Sequence, residues 1–377
     1  MRIVIIGEYS SFAKNLSEGF RALGHECFVF SWGDGFKKIE QDRSSSYTIN
    51  AQYKGNNVFE HILFAFHSTI IGLKLQRFVA SMSKKGKFDS VLILSESFVR
   101  EKGRFWQARF SKKMILSLVK SSNNIYLSAC GSDVPFYDYW KDKKWKNRSM
   151  MSSFNKYGSK QCIKHHLYVT SFVNKVIPVM YGYAEAWRNS VYSSHCNILK
   201  TIPLPINCSK YTPHNKVEGK IVVFHGITRP EVKGTPFIVE ALNRLQYKYP
   251  ELVECIAEGG MPLNDYLKLM ERTNVQIDQA CCEYVGMNGL YGMAMGKVLL
   301  GGNEEENRNE FEEFDCPIIN IQPDSQQIYE ALENLILHKD KIASLSKKMR
   351  EYVERTHDSI IIAKKYVEVF ESGGKNV

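Results

Sequence analysis

The 377-residue sequence lacks several patterns that would assign it to a class at once. The stretch closest to a membrane span, 61–73, is interrupted by His67, Ser68 and Thr69, and falls short of the roughly 18 apolar residues needed. Nine cysteines occur without a Cys-x-x-Cys spacing, which argues against a zinc site and favours free thiols in a reducing cytosol. The opening MRIVIIG is typical of a first strand rather than of a secretion signal, so we expect a cytoplasmic protein.

Two phosphate-binding patterns are also missing. The Gly-x-Gly-x-x-Gly fingerprint of dinucleotide-binding folds is absent from the first turn, where the only glycine is Gly7. No Asp-x-Asp pair occurs anywhere in the chain. The first absence disfavours an NAD enzyme. The second gives no support to a metal-bridged diphosphate, so we expect neither a metal nor a cofactor.

The net charge of +10 is distributed unevenly along the chain. Residues 1–205 contain 30 Lys and Arg against 14 Asp and Glu, whereas residues 206–377 contain 20 against 26. Two stretches, 100–113 and 140–166, mix cations with Trp, Tyr and Phe, a combination that suits an anionic lipid surface. This predicts peripheral docking on the inner face of the membrane. A solvated basic face and a nucleic-acid surface are the alternatives.

Apolar runs that end in glycine alternate with amphipathic segments in both halves. RIVIIG (2–7) precedes a helical pattern over 12–25, and GKIVVFHG (219–226) precedes another over 235–250. This order predicts α/β architecture with two Rossmann-like domains facing each other across a cleft. We place an acceptor-side domain at 1–205 and a nucleotide-sugar-binding domain at 206–355. A final helical segment, 356–377, is expected to cross back to the first domain.

Basic residues follow the first strand of the second half. Gly226 is predicted to permit a tight turn, and Arg229 and Lys233 lie in the following loop. Arg forks onto phosphate oxygens and Lys supplies a point charge, so the pair suits a diphosphate. Solvated surface charges are the plainer alternative.

A second candidate element is EYVGMNGLYGMAMGKVLLGG (283–302). Gly286, Met287 and Asn288 precede or begin a helix, where exposed amides and the helix dipole favour an anion. Glu283 lies just before this turn. A carboxylate next to a phosphate site is expected to face hydroxyl groups, such as those of a sugar.

These residues resemble the nucleotide-sugar site of retaining glycosyltransferases of GT-B fold, family 4. The family's donor motif is Glu, seven residues, Glu, then Ala-Met-Ala-x-Gly-Lys-x-Val; here Glu283 begins it and MAMGKVL (293–299) matches its end. The family's basic pair falls on Arg229 and Lys233, with the Arg one residue short of the usual spacing. The second Glu, which usually binds the ribose, is replaced by Tyr291. A phenol cannot chelate two hydroxyls with charge.

The resemblance also covers part of the first half. ACGSDVP (129–135) is similar to a loop that often begins with His, here Cys130. It implies an acceptor-side loop containing Gly7, Gly131 and Ser132, with Asp133 as a catalytic candidate near the acceptor. Asp133 is equally well explained as a turn or cap residue.

The resemblance implies that a sugar moves from a nucleotide diphosphate sugar to an acceptor hydroxyl with retention. A lipid-linked glycan or surface polysaccharide precursor is the expected acceptor, and no nucleic acid is expected as a partner. Glu283 would orient the donor sugar. Arg229, Lys233 and the amides at 286–288 would stabilise the leaving diphosphate. Three alternatives stay open: a catalytically silent partner subunit, which the loss of the second Glu would explain, a GT-B sugar-nucleotide epimerase, and a basic nucleic-acid-binding protein.

Overall fold

The computed structural model of the chain describes residues 1–31, 34, 39, 46–48, 62, 66, 77, 79–100, 110–111, 120, 122–143, 146, 148–173 and 175–373. Within this part, no helix is both long enough and apolar enough to cross a bilayer. Most of the basic stretch 100–113 lies outside the described residues, so the structure does not test its predicted docking role.

A seven-stranded parallel sheet forms the first domain. Its spatial order is β3-β2-β1-β4-β7-β8-β9. The strands are β1 (Arg2–Ile6), β2 (Glu26–Ser31), β3 (Ser46–Thr48), β4 (Phe88–Ile93), β7 (Ser122–Ala129), β8 (Lys175–Pro178) and β9 (Asn197–Ile198). Two further short strands, β5 (Val99–Arg100) and β6 (Phe110–Ser111), pair with each other. The apolar runs of β1 and β4 are buried almost throughout, as expected for central strands covered on both faces.

A five-stranded parallel sheet forms the second domain, in the order β11-β10-β12-β13-β14. The strands are β10 (Ile221–Ile227), β11 (Val253–Gly259), β12 (Val275–Ile277), β13 (Val298–Gly301) and β14 (Ile319–Asn320). In both sheets the chain first adds strands on one side of its first strand and then turns to the other side. Each sheet therefore has a switch point, between β1 and β4 and between β10 and β12. Ligands of open parallel sheets bind beyond the strand ends at such points.

Helices connect the strands of both sheets. In the first domain they include α1 (Phe12–Ala22), α2 (Val134–Trp140), α3 (Lys160–Thr170) and α4 (Tyr181–Asn189), with a 3-10 helix at Arg148–Gly158. In the second they are α5 (Pro230–Lys233), α6 (Thr235–Lys248), α7 (Leu263–Arg272), α8 (Met287–Ala294), α9 (Glu305–Phe311), α10 (Ser325–Leu337) and α11 (Lys341–His357), followed by α12 (Ser359–Glu371).

The last helix returns to the first domain and packs on α1. Phe20 of α1 stacks on Phe370 with ring centroids 6.0 Å apart. Gly19 permits the close approach, because a Cβ there would collide with the backbone carbonyl of Ser359. This crossing helix belongs to the predicted fold class, which the structure confirms.

Two of the aromatic residues of the stretch 140–166 have a different role from the one predicted. Trp140 and Phe154 are buried in a cluster that also includes Val232 of the second domain. The indole of Trp140 donates to the carbonyl of Gly182 at 3.0 Å. His166, in the same stretch, is fully buried. Because these groups stabilise a core, they are not available as interfacial anchors.

Candidate functional site

The crevice between the domains is lined by residues that follow the central strands. Arg229 comes two residues after β10, and Asp278 directly follows β12, so the two flank the switch point of the second sheet. Glu8 follows β1 and Glu96 follows β4 in the first sheet. The sequence reasoning singled out Arg229 but missed the three acidic residues. Their common signal is a carboxylate placed just after a buried parallel strand.

Asp278 is the centre of a buried polar cluster. One oxygen, Oδ1, accepts from the Lys233 ammonium at 2.5 Å and from the Asn288 amide at 3.1 Å. The other, Oδ2, accepts from the backbone amide of Gly286 at 2.7 Å. Burial disfavours the charged form, but Lys233 and these hydrogen bonds outweigh it and lower the pKa of Asp278. Asp278 therefore ties the end of α5 to the start of α8.

This cluster corrects two expectations for the predicted anion site. The amide of Gly286 is not exposed, because the Asp278 carboxylate already accepts from it. Lys233 is buried and paired rather than projecting freely from its loop. The amides of Met287 and Asn288, in the first turn of α8, have no intrahelical partner by helix geometry. They are the amides that remain for an incoming anion.

Arg229 is the exposed cation of the crevice. It precedes α5 and forms no ion pair within the described residues. Its positive charge favours the ionised forms of Tyr157 and Tyr183, against the burial that raises the pKa of both phenols, so the guanidinium faces the aromatic side chains of the first domain. Gly226, expected in a tight turn, lies inside β10 instead. Its lack of a side chain leaves room for Asn288, which a Cβ would approach to 3.3 Å.

Glu283 is buried at the boundary between the two domains. Its Oε1 accepts from the backbone amide of Gly182, in α4 of the first domain, at 2.9 Å. Burial raises the pKa of Glu283 to about 7, an effect that the Gly182 amide and the charge of Lys146 reduce but do not cancel. The predicted role in holding sugar hydroxyls stays a prediction. The contact with α4 was not foreseen.

Tyr291 lies in a cluster of tyrosines. Its ring meets Tyr211 edge-on with centroids 5.5 Å apart and Tyr266 at 6.4 Å. Only 4% of its surface is exposed, and burial raises its pKa well above the usual value. The side chain therefore fills space beside Glu8 and Ser11 of the first domain. It does not present an open hydroxyl at the position where the family places a ribose-binding Glu.

The first-domain loop after β1 carries its own carboxylate. Gly7 has a φ of 109°, which lets the chain turn sharply at the strand end. Glu8 then accepts from the amides of Ala13 at 3.2 Å and Lys14 at 3.0 Å, at the start of α1. Burial raises the pKa of Glu8 to about 8. The helix terminus that would suit a phosphate is thus occupied by a side chain of the loop itself.

The predicted acceptor-side loop, with Gly131 and Ser132, leads into α2. Asp133 caps this helix by accepting from the Phe136 amide at 2.9 Å, and its second oxygen accepts from the Trp187 indole at 2.9 Å. Burial raises the pKa of Asp133 to about 7, and the charge of Glu96 adds to the effect. Both oxygens serve the fold, so the capping explanation has direct support, whereas the catalytic role stays a prediction.

Two further side chains near this loop are unsuited to act as bases. The Cys130 thiol, at the position where the family often has His, donates to the Leu94 carbonyl, and burial raises its pKa to about 12. His166 contacts the Glu96 carboxylate and donates to the Tyr192 carbonyl. Burial lowers the pKa of His166, but the Glu96 contact outweighs it and the net pKa is raised. In the second domain, His225 donates to the Ile277 carbonyl and is a packed residue.

Comparisons with known proteins identify the architecture. No protein-family model matches the sequence, and no curated protein matches it. Sucrose-phosphate synthase from Thermosynechococcus elongatus is similar over 99% of both chains, with 12% identity and a TM-score of 0.60. HepE from Anabaena, in complex with UDP and glucose, covers 99% of this chain and 100% of its own, with 12% identity and a TM-score of 0.58. A Rickettsia africae glycosyltransferase covers 100% and 99%, with 13% identity and a TM-score of 0.57. The chain has the GT-B fold.

Proposed function

We propose that the protein transfers a sugar from a nucleoside diphosphate sugar to an acceptor hydroxyl. The main support for the proposal comes from two groups at the crevice edge of the second sheet. Arg229 has an exposed guanidinium, and the first-turn amides of α8 have no intrahelical partner. Both groups suit a diphosphate. HepE and an alpha-glucosyltransferase, which share the fold, were solved with UDP and with UDP-glucose, respectively.

The leaving diphosphate gains negative charge as the bond to the sugar breaks. Arg229 and the amides of Met287 and Asn288 would stabilise that charge, which is the usual largest contribution in such chemistry. Lys233 would act mainly by holding Asp278, since its charge is already balanced. The proposed reaction uses these fixed charges and requires no metal.

Glu283 would accept hydrogen bonds from the hydroxyls of the donor sugar. We propose retention at the anomeric carbon, with the acceptor attacking from the face that the diphosphate leaves. A leaving phosphate oxygen then takes the acceptor proton, so no protein nucleophile is needed. Glu283 must be ionised to accept freely, and its pKa of about 7 predicts an acidic limb near neutrality.

We propose a lipid-linked glycan or polysaccharide precursor as the acceptor, met at the inner face of the membrane. The support is electrostatic: the excess of Lys and Arg in residues 1–205, with Lys156, Lys160 and Lys164 exposed around α3. Each such cation contributes roughly 1 kcal/mol near anionic lipid. Sedimentation should show binding to anionic vesicles that fades with salt. Equally poor capture by neutral and anionic vesicles would contradict docking.

Two observations favour a catalytically silent subunit as the second candidate. Tyr291 closes the position where the family has its second Glu, and Cys130 stays protonated where the family often has His. Such a chain would keep its architecture and its partner contacts without turning over a donor.

Turnover of a panel of nucleotide sugars, with a Glu283→Gln comparison, distinguishes the two functions. An active transferase should release a nucleoside diphosphate from at least one donor. Glu283→Gln should lower kcat at least about tenfold while nucleoside diphosphate affinity changes little, because one charged hydrogen bond to the sugar is lost. Turnover of no donor, combined with unchanged binding, would instead support the silent subunit.

A further inference from the structure

The proposed diphosphate site at the start of α8 has different neighbours on its two sides. Glu283, the proposed sugar carboxylate, precedes the helix and accepts from Gly182 of α4, which follows β8. Tyr291 lies three residues after Asn288, so it shares that face of the helix about one turn further along. It lies beside Ser11, which comes between β1 and α1.

The first sheet gives the distance between these two surroundings. β1 and β8 are three strand spacings apart, with β4 and β7 between them. Because neighbouring strands are about 4.8 Å apart, the surroundings of Glu283 and of Tyr291 are separated by roughly 14 Å. In a nucleotide sugar the diphosphate separates the sugar from the nucleoside. With the sugar at Glu283, the nucleoside therefore extends along α8 towards Tyr291.

Three tyrosines, Tyr211, Tyr266 and Tyr291, form a tyrosine wall at this nucleoside side. The ring of Tyr291 lies 5.5 Å from that of Tyr211 and 6.4 Å from that of Tyr266, between centroids. The hydroxyl of Tyr266 accepts from the Gln276 amide at 2.8 Å. The hydroxyl of Tyr291 interacts with those of Tyr211 and Ser11. The tyrosine wall therefore offers mainly ring surface to a ligand.

The carboxylates beside the tyrosine wall are engaged in the fold. Burial raises the pKa of the three phenols, and the charges of Asp278, Glu8 and Glu18 add to the effect. Asp278 accepts from the start of α8, and Glu8 accepts from the first turn of α1. Glu18 accepts from the side chains of Asn207 and Lys210. None of these three carboxylates is placed to chelate the two hydroxyls of a ribose.

The 2′-hydroxyl of a ribose would therefore be buried at a cost. A hydroxyl that leaves water without gaining a hydrogen bond is unfavourable. A 2′-deoxyribose has a methylene group at that carbon, which can pack against tyrosine rings without this cost. Sites built to hydrogen-bond a hydroxyl reject the analogue that lacks it, whereas a wall of rings does not.

We propose that this site does not recognise the 2′-hydroxyl of the nucleoside, and that it takes 2′-deoxynucleoside diphosphate sugars at least as well as their ribonucleoside counterparts. The inference rests on the proposed function and names the class of its donor. Arg229 and the amides of α8 serve the diphosphate in both classes. The choice between them therefore depends on the tyrosine wall alone.

Calorimetry with UDP and dUDP, which differ only in the 2′-hydroxyl, tests the inference in the wild type. The Kd of dUDP should lie below that of UDP or within about threefold of it. UDP binding that is tighter than dUDP binding by more than about threefold would overturn the inference and leave the proposed function standing. Binding of neither ligand would refute the proposed function, and this inference with it.

Two variants test whether the tyrosine wall contacts the nucleoside. Tyr211→Ala should weaken UDP and dUDP to the same extent, several-fold, and leave inorganic diphosphate binding unchanged. Tyr291→Phe should leave the ratio of the two Kd values unaltered, because its hydroxyl is used within the protein. Tyr249→Phe, which removes a hydroxyl bonded to Glu333 on another surface of the domain, is the control.

The results that contradict the tyrosine wall are equally specific. Unchanged nucleotide binding in Tyr211→Ala, or an equal loss of diphosphate binding, would mean that the nucleoside lies elsewhere. A loss of UDP binding alone in Tyr291→Phe would show that the phenol hydroxyl recognises the ribose. Either result would overturn the inference.

Discussion

Acidic side chains serve as caps at the helix starts around the crevice. Glu8 accepts from amides of α1, Asp133 from α2, Glu283 from α4, and Asp278 from the turn before α8. Each carboxylate occupies a position where a helix dipole favours a negative charge. These carboxylates already occupy the helix starts where an anion would bind most strongly. A bound diphosphate would therefore depend on Arg229 as its principal cation.

The Asp278–Lys233 pair should be important for stability because it is buried. Asp278→Asn leaves a buried ammonium without its partner and should cost about 3–5 kcal/mol of unfolding free energy in urea titrations. Removing both charges together should cost less than either single change. Glu218→Gln, which breaks the exposed pair with Lys216, should leave stability unchanged and serves as the control.

The same pair predicts a loss of stability in acid. The pKa of Asp278 is lower in the folded state than its usual value of 3.8. Its contribution is therefore complete above about pH 4 and is lost as the pH falls through the folded pKa. A loss below 1 kcal/mol in Asp278→Asn, or no reduction of the acid sensitivity, would contradict this role.

Tyr291→Glu distinguishes a ribose site from a packing site. The residue lies between Tyr211 and Tyr266 with little exposed surface, so the new carboxylate would be buried without a cation. We expect a clear drop in melting temperature, corresponding to about 2–4 kcal/mol, and no gain in nucleotide affinity. Tyr291→Phe keeps the ring and should change little. Tighter nucleotide binding by Tyr291→Glu would show that the ribose lies where the family places it.

The candidate site was only partly predictable from sequence. The sequence singled out the stretch from Glu283 to Asn288 because its spacing is local, and its role in the site stays a prediction. Its partners were not: Lys233 meets Asp278 across 45 residues, and Glu283 meets Gly182 across 101. Spacing along the chain does not encode such contacts, since they depend on how the strands are ordered in the sheet.

At the scale of elements, apolar continuity predicted the first strand of each sheet, and amphipathic periodicity predicted the helices α1 and α6 that follow them. It did not predict α2, α3 and α4, which carry many aromatic and basic residues. The aromatic side chains of α2 and of the 3-10 helix at Arg148–Gly158 pack in a cluster of their own with Val232, outside the main sheet cores. Composition suggested that these segments form an exposed surface, because it does not reveal that Val232 of the second domain packs against them.

Gly19→Ala tests the contact between α1 and α12. A Cβ at Gly19 would collide with the Ser359 carbonyl, which is backbone and cannot rotate away. We expect a loss of about 1–3 kcal/mol of unfolding free energy from the forced separation of the helices. Gly131→Ala is a suitable control, because a Cβ there meets no atom within 4 Å. Equal stability of the two variants would contradict the close packing of the crossing helix.

At the scale of the molecule, the chain passes twice between the domains, and the two passages are bonded to each other. The amide of Ile206 donates to the His357 carbonyl at 2.8 Å, and the amide of Ser359 donates to the Ile206 carbonyl at 2.9 Å. The buried ring of His357 donates to the Leu204 carbonyl and accepts from Tyr284, the neighbour of Glu283. Burial lowers the pKa of His357 to about 4, so this junction stays neutral. The two passages between the domains are therefore joined by buried hydrogen bonds that carry no charge.

Calorimetric binding of UDP and of uridine to the wild type and to Arg229→Gln tests the central claim most directly, with ADP and GDP as further ligands. The account predicts that a nucleoside diphosphate binds, and that Arg229→Gln weakens it at least about tenfold while uridine binding is unchanged, because the guanidinium contacts phosphate alone. Arg272→Gln, a distant change on the same domain, should leave both ligands unaffected. Equal weakening of UDP and uridine, or binding of no nucleoside diphosphate at all, would contradict the claim that this crevice is a nucleotide-sugar site.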